Sequence, residues 1–255
     1  WSDEISAIDG KQDSGGLRVD YHYRHPRLAQ VYDVSDQPYP AEKTFYLSLV
    51  SAPPRKVLDL GCGVGNLCHG FSESGHDVTG VDPAPAMLGV AAAKPGGAAI
   101  KWITCDAQSF RSDERFDLII MTGHAFQVLL NDEDIQATLK TMRDHIAQDG
   151  TLAFETRNPE IDWVARWTAR PDSVWQPGPG ETVSISTNVL DRSADTISFE
   201  HHYRFPDEEL VSSSTLRITT LADITKFLAD AGFQVAACYG DWDRPHFVPE
   251  TSLEI

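Results

Sequence analysis

Three acids and a run of glycines are the residues of this chain best placed to do chemistry. Asp59 interrupts the apolar run Val57–Leu60, two residues before Gly61, Gly63 and Gly65. Asp82 closes a second apolar run, Val78-Thr-Gly-Val81, and Asp106 closes a third that begins at Ile100. An apolar run that breaks into glycines is the pattern of a buried parallel strand followed by a tight turn, where the missing Cβ atoms let backbone approach a ligand. A helix starting at Asn66 would aim free amides at that ligand. A dinucleotide fingerprint requires G-x-G-x-x-G with an acid about 20 residues on. Here the third glycine stands one place early, position 66 is Asn, and Asp82 follows Gly61 by 21 residues. Asp82 suits the two hydroxyls of a ribose. Asp59 would repel a pyrophosphate but suits a cation, directly or by fixing the amides of the turn. Acids at the carboxyl ends of three successive strands describe a site for a positively charged nucleoside without phosphate.

The surrounding elements must position those acids. Strands are expected at 55–60, 77–82, 99–104, 116–122 and 150–157, with helices at 65–74, 84–93 and 132–147. Pro83 and Pro85 open the second helix. Asn131 or Asp132 caps the third, and Asp149-Gly150 stops it. Alternating strands and helices imply a doubly wound, mostly parallel α/β sheet with ligands at its carboxyl edge. Residues 1–16 read as a loose arm or extra lid. A helix from Pro26 places Leu28, Val31 and Tyr32 on one face, and a second spans 41–51, ended by Pro53-Pro54. After the fifth strand, Ile161–Trp167 is helix-like and residues 171–180 form a loop. Alternating runs at 182–190, 196–205 and 210–219, with turns at 191–195 and 206–209, read as a small three-stranded antiparallel lid. A helix over 221–231, closed by Gly232, and a strand over 233–240 return to the core. The implied division is an N-terminal arm and helical cap (1–54), a core (55–158 and 221–255) and an inserted lid (159–220).

At these residues a resemblance emerges. Val57–Gly65 resembles motif I of the class I S-adenosylmethionine (SAM)-dependent methyltransferases, Val81-Asp82 their ribose-binding acid, and Cys105-Asp106-Ala107 their adenine-side motif. Phe116–Met121 and Gly150–Glu155 resemble their fourth and fifth strands, and the likeness runs roughly from Tyr32 to Gly240. The resemblance implies a Rossmann-like core, SAM as cofactor and S-adenosylhomocysteine as product. It implies a cofactor set of Gly61, Cys62 and Gly63 near the methionine moiety, Asp82 on the ribose, and Asp106 with Ala107 at the adenine. Asp59 is expected to fix the turn or help bind the amino group. Pro83, Met87 and Met121 belong to the same set, and Tyr32 closes above it unless it is simply a packing tyrosine. The family normally ends in an antiparallel seventh strand. Ser252–Ile255 is only the beginning of one, so either the sequence stops short or the strand is abbreviated. A first residue Trp1 suggests a trimmed start.

Methyl transfer from a sulfonium is an in-line displacement, in which positioning supplies on the order of 7–11 kcal/mol at best. A hydroxyl acceptor needs a base; an amine needs only to arrive deprotonated. His124, with a near-neutral pKa, suits a general base or a hydrogen-bond steerer, or it merely satisfies backbone at a helix start. Gln127 lies beside it. Arg157 would grip a substrate carboxylate or pair with Glu155. Trp163, Trp167 and Trp175 form an acceptor wall or belong to the core. Alternation puts His201 and Tyr203 on one face of the second lid strand, and His202 and Arg204 on the other. The catalytic candidates are thus Tyr32, His124, His201 and Tyr203, and the acceptor-binding candidates His124, Gln127, Arg157, Trp163 and Tyr203. No metal is expected, because the turn occupies Cys62 and leaves Cys68 and His69 without it.

A length of 255 residues suits one α/β domain with an elaboration. Lys plus Arg is 21 against 38 for Asp plus Glu, a net charge of −17. That field disfavours nucleic acid and favours a small, cationic acceptor, unless it only reflects a solvated surface. Four scattered cysteines point to reduced thiols and a cytoplasmic setting. No apolar run approaches the ~18 residues of a membrane span, and no secretory segment is evident. A monomer and a homodimer both remain open. The expected function is methyl transfer from SAM to N or O of a small molecule. SAM binding without methyl transfer, as in a pericyclase or a binding subunit, is the alternative, with a nicotinamide oxidoreductase a weaker third.

Overall fold

Apolar residues alternate across the central strands so that both faces of one sheet are buried. In the computed structural model, which describes residues 19–255, five parallel strands run in the order β3-β2-β1-β4-β5. They are β1 (Lys56–Leu60), β2 (Asp77–Asp82), β3 (Lys101–Thr104), β4 (Phe116–Met121) and β5 (Ile146–Phe154). Leu58, Leu60, Ile119 and Met121 face α6 (Asp132–His145) and α8 (Leu221–Asp230), packing on Leu139, Met142 and Phe227. Val57, Leu118 and Ile120 face the opposite layer, packing on Leu67 and Phe71 of α4 (Asn66–Glu73) and Leu88 of α5 (Pro85–Ala93). Tyr46 of α3 (Pro40–Leu47) joins that second layer. Asn131 caps α6 by accepting the Asp134 N–H at 2.8 Å. The expected arm at 1–16 lies outside the described residues.

The sheet stays tight at its edge because two glycines leave room for an indole. A Cβ on Gly65 would lie 2.5 Å from Trp102 Cη2, and one on Gly80 would lie 2.5 Å from Trp102 Cζ3. The indole N–H donates to the Gly97 carbonyl at 2.9 Å, which fixes the ring there.

A second, antiparallel sheet follows α7 (Trp163–Thr168), in the order β6-β7-β8-β9. It consists of β6 (Ser173–Trp175), β7 (Val183–Arg192), β8 (Thr196–Arg204) and β9 (Glu209–Arg217). The expected three-stranded lid therefore gains a fourth strand. Ser173–Trp175 reads as loop between prolines, yet three residues suffice to pair along the edge of β7. The lid packs through Val183, Tyr203 and Phe205 onto Leu28 and Val31 of α2 (Pro26–Ser35). Through Ile197 and Phe199 it packs onto Trp163 and Trp167. Arg27 secures the first contact: it lies 3.7 Å over the Phe205 ring and donates to Glu181 at 2.6 Å and to Asp207 at 2.9 Å. The one-turn helix α1 (Tyr21–Arg24), unforeseen in the sequence, meets the lid where His22 Nδ1 and Ser212 Oγ lie 2.8 Å apart.

One strand expectation is overturned. Residues 233–240 form no strand; Tyr239 makes a single antiparallel bridge to His246. Only Phe233 and Tyr239 of that segment find ring partners, while Val235 stays exposed. The chain end instead pairs with the continuation of β5. Thr156 and Ile255 exchange two backbone hydrogen bonds, and Asn158 donates to the Leu253 carbonyl. No helix among the described residues is long and apolar enough to cross a membrane.

The slot for Trp102 makes a stability prediction. Gly80→Ala should destabilise the fold by about 1–3 kcal/mol, as overpacked cores do, and Gly80→Ala combined with Trp102→Leu should recover part of the loss. Thermal unfolding of both variants checks this; a single variant as stable as the parent would refute the slot.

Candidate active site

Strand order reverses between β1 and β4, and a crevice opens there at the carboxyl edge. It continues under the lid as a cleft of about 2350 Å³. Ordinary ligand pockets hold roughly 300–1,000 Å³, so this one has room for two ligands side by side.

Its floor is the turn after β1. Gly61, Gly63 and Gly65 adopt φ of 77°, 53° and 73°, a region open to glycine at no steric cost. Four of the turn's amides are used within the protein. Gly61 and Cys62 donate to the Val81 carbonyl at 2.8 and 3.0 Å, Gly63 to Asp82 Oδ2 at 2.9 Å, and Gly65 to the Cys62 carbonyl at 2.8 Å. Those four bonds tie the turn to β2 and to itself, and the first carbonyl bond of α4 is made by the His69 N–H, to Gly65 at 3.0 Å. The other Asp82 oxygen accepts the Ala84 N–H at 2.8 Å, and burial pushes the carboxyl up to about 6. Asp59 is buried. One oxygen accepts the Cys68 thiol at 3.3 Å, the other has no hydrogen-bond partner, and burial pushes the carboxyl up to about 7. An orphaned carboxylate oxygen at the floor of a cleft is what a cationic ligand group satisfies.

The remaining cofactor-side residues close around this floor. Asp106 accepts the Ser109 N–H at 2.7 Å, which holds the turn after β3 and sets Ala107 in the wall. A Cβ on Gly63 would lie 3.4 Å from Met87 and 3.9 Å from the Tyr32 ring, so both side chains cap the turn. The Tyr32 phenol lies close to Gly123, and burial beside Asp36 keeps it protonated. Asp59, Gly61, Cys62, Gly63, Asp82, Pro83, Met87, Asp106, Ala107, Met121 and Tyr32 thus face one cleft. A buried carboxyl at the tip of β2 and an unsatisfied carboxylate oxygen at the floor are the features a sugar and a cationic group would satisfy.

Beyond β4 lie the residues expected to face the acceptor. Gly123 and His124 both adopt left-handed backbone, φ 65° and 59°, which is strained for histidine. Glu155 holds this bend by accepting the His124 N–H at 2.8 Å, while the Tyr46 hydroxyl donates to its other oxygen. His124 Nε2 lies 2.9 Å from Glu254 Oε2. Burial and the nearby Arg157 push His124 down to about 4, and burial pushes Glu254 up to about 7. The near-neutral histidine read from sequence is therefore corrected: His124 is a weak base, and its neighbour Glu254 titrates near neutrality. Gln127 is also corrected. Its amide donates to the Arg217 carbonyl at 2.9 Å and its oxygen accepts from Arg157 at 2.8 Å, so it braces Arg157 and does not line the cleft. Arg157 makes no pairing with Glu155; its guanidinium lies 5.5 and 5.2 Å from the rings of Trp163 and Trp167.

Trp163 donates to the Asn158 carbonyl at 2.8 Å, which pins that wall. Trp167 and Trp175 line the same cleft. His201 and Tyr203 face it too, and His201 is pushed down to about 4, chiefly by burial. His202 and Arg204 point away, towards Glu209. Sequence reasoning missed Tyr23, Asp36, Arg166, Arg170 and Glu254, all of which line the cleft. Arg166 lies within the helix-like Ile161–Trp167 stretch, which is the signal for it; Glu254 had none.

Residues 57–150 match a family model described as a methyltransferase domain. A ubiquinone biosynthesis O-methyltransferase of Bradyrhizobium sp. (strain ORS 278) is 27% identical over 132 residues, covering 47% of this chain and 51% of that protein. The chain spans about half the length of the first curated relatives it matches, 56% and 51%. The CcbJ methyltransferase from Streptomyces caelestis has the same fold, with a TM-score of 0.71 at 19% identity over 91% of this chain and 95% of that one. So does the sugar N-methyltransferase KedS8 from Streptoalloteichus sp. ATCC 53650, with a TM-score of 0.67 at 19% identity over 91% of each.

Asp82→Ala should weaken SAM binding tenfold or more, because charge-assisted hydrogen bonds contribute about 1.5–3 kcal/mol and 1.4 kcal/mol is a decade. Titration calorimetry measures this; unchanged affinity would refute the ribose assignment.

Proposed function

We propose that the chain, whose residues 57–150 match a methyltransferase-domain family model, transfers a methyl group from SAM to the amine nitrogen of a small-molecule acceptor in the cytoplasm. The observation that carries the nitrogen reading is the pair His124–Glu254. A hydroxyl acceptor needs a strong base beside it, and His124, pushed down to about 4, is a poor one. An ammonium needs only to lose a proton near neutral pH, and Glu254, at about 7, is poised to take it. KedS8, which shares the fold, is a sugar N-methyltransferase; an amino sugar has suitable chemistry.

SAM, when bound, supplies an electrophilic methyl group on a sulfonium. This chain's residues do the rest. Glu254 accepts one proton from the acceptor ammonium and becomes a carboxylic acid, which frees the nitrogen lone pair. His124 holds that carboxyl in place through Nε2. Glu155 keeps His124 there by accepting its backbone N–H. Tyr32 closes over the floor, and Trp163 and Trp167 exclude water from the acceptor side. Tyr203 and His201 face the acceptor from the lid. With SAM bound, the freed lone pair would take the methyl group in exchange for the sulfonium's C–S bond, giving an N-methylammonium and a thioether, and Glu254 would release its proton to solvent.

The direct test saturates the chain with SAM and screens amine acceptors, amino sugars among them, for S-adenosylhomocysteine. Acceptor-dependent product is expected; none across the amine panel, with SAM bound, would sink the reading. A second expectation concerns pH. Glu254 acts as the carboxylate, so kcat/KM should rise through about pH 7. Glu254→Gln should lose that limb and slow the reaction by about 10²–10⁴-fold, the usual worth of a positioned base.

A further inference from the structure

A cationic patch stands out in a cleft otherwise lined by carboxylates. Arg157, Arg166 and Arg170 all line it, from the end of β5 through α7 and just beyond. None of the three has a carboxylate within ion-pairing distance among the described residues, in a chain of net charge −17. Arg157 is the telling one. It is partly buried, with one amino group on Gln127 at 2.8 Å and tryptophan rings on its flank. The carboxylate whose field it feels most is Glu254, and Glu254 gives an oxygen to His124 instead. Arg170 lies close enough to repel both Arg157 and His201. Buried guanidinium groups are ordinarily paired, because uncompensated charge in low dielectric is costly. Like charges gathered on one ligand-facing wall await a counter-charge from the ligand.

We infer that the acceptor carries an oxyanion, carboxylate or phosphate, held by Arg157 with Arg170 and Arg166, while its amine lies at Glu254. This rests on the proposed methyl transfer and adds the second pole of the substrate. The acceptor is dipolar, and its anion end determines which amine is placed on the methyl line. Arg157 presents a planar fork that matches either oxyanion in bidentate fashion, which a lysine does not. Trp163 and Trp167 keep the fork from turning away.

The test uses the full chain saturated with S-adenosylhomocysteine, titrated calorimetrically at constant ionic strength with sodium pyrophosphate in one arm and sodium acetate in the other. Saturable binding of one probe is expected, and which probe binds tells phosphate from carboxylate. Arg157→Met should weaken it at least tenfold and Arg157→Lys less. Arg166→Ala and Arg170→Ala, exposed positions that leave the fold intact, should weaken it several-fold. Absence of saturable binding by either anion, or equal binding by every variant, would overturn the inference. So would a tenfold loss of S-adenosylhomocysteine affinity in Arg157→Met, which would give the guanidinium to the cofactor's own carboxylate. A parent chain that binds the anion but not S-adenosylhomocysteine would strike the methyltransferase reading and leave the anion site standing.

Discussion

Carboxylates sealed from water without a cation govern this cleft. Asp59, Asp82 and Glu155 are buried, none forms an ion pair among the described residues, and burial pushes each carboxyl above its ordinary range. Neutral donors hold them: the Cys68 thiol, the Gly63 and Ala84 amides, the Tyr46 hydroxyl and the His124 amide. Hydrogen bonds of that kind offset part of the desolvation but leave the charge unneutralised. The part of the cleft around these carboxylates is therefore preorganised for positive charge, in contrast to the arginine wall formed by Arg157, Arg166 and Arg170. A sulfonium and a protonated amine both meet the demand, whereas a pyrophosphate meets the same field with the opposite sign. The chain's net charge of −17 extends that preference into the solvent around it.

Around that constraint the scaffold does two things. Glycines 61, 63 and 65 bend the chain so that its amides tie β1 to β2, which converts a loop into a rigid floor. The inserted sheet supplies a roof whose inner face carries Phe199, His201 and Tyr203 at alternate positions of β8. The cleft is then shared between a floor, built by local turns, and a roof, built by contacts distant in sequence.

That division also explains what could be read from the chain and what could not. The parallel core announced itself locally: Val57–Leu60 breaking into glycines, and a helix over 132–147 opened by the cap residues Asn131 and Asp132. Asp82 and Asp106 stood at strand ends for the same reason. Ser173–Trp175 did not, because three residues between prolines have no period and become a strand only against β7. Residues 233–240 misled by composition, since their apolar content resembles a strand yet Val235 stays exposed. Gln127 sits beside His124 in sequence, but the 3₁₀ turn at Ala125–Val128 buries its side chain against Arg217. Glu254 was invisible because its place depends on Leu253 and Ile255 pairing with Thr156 and Asn158 far along the chain. His124 was seen, but its basicity was not, since burial and Arg157 set it.

Helix α2 couples the two halves of the cleft. Ala29 and Tyr32 pack on Val64 and Met87 above the floor, while Leu28 and Val31, one residue away on the helix, pack under the roof. Asp33 reaches Lys94 at 2.5 Å, and Lys94 in turn donates to the Val64 carbonyl at 2.9 Å. The floor and the roof thus share one support, whose two packing faces lie a single residue apart along the chain.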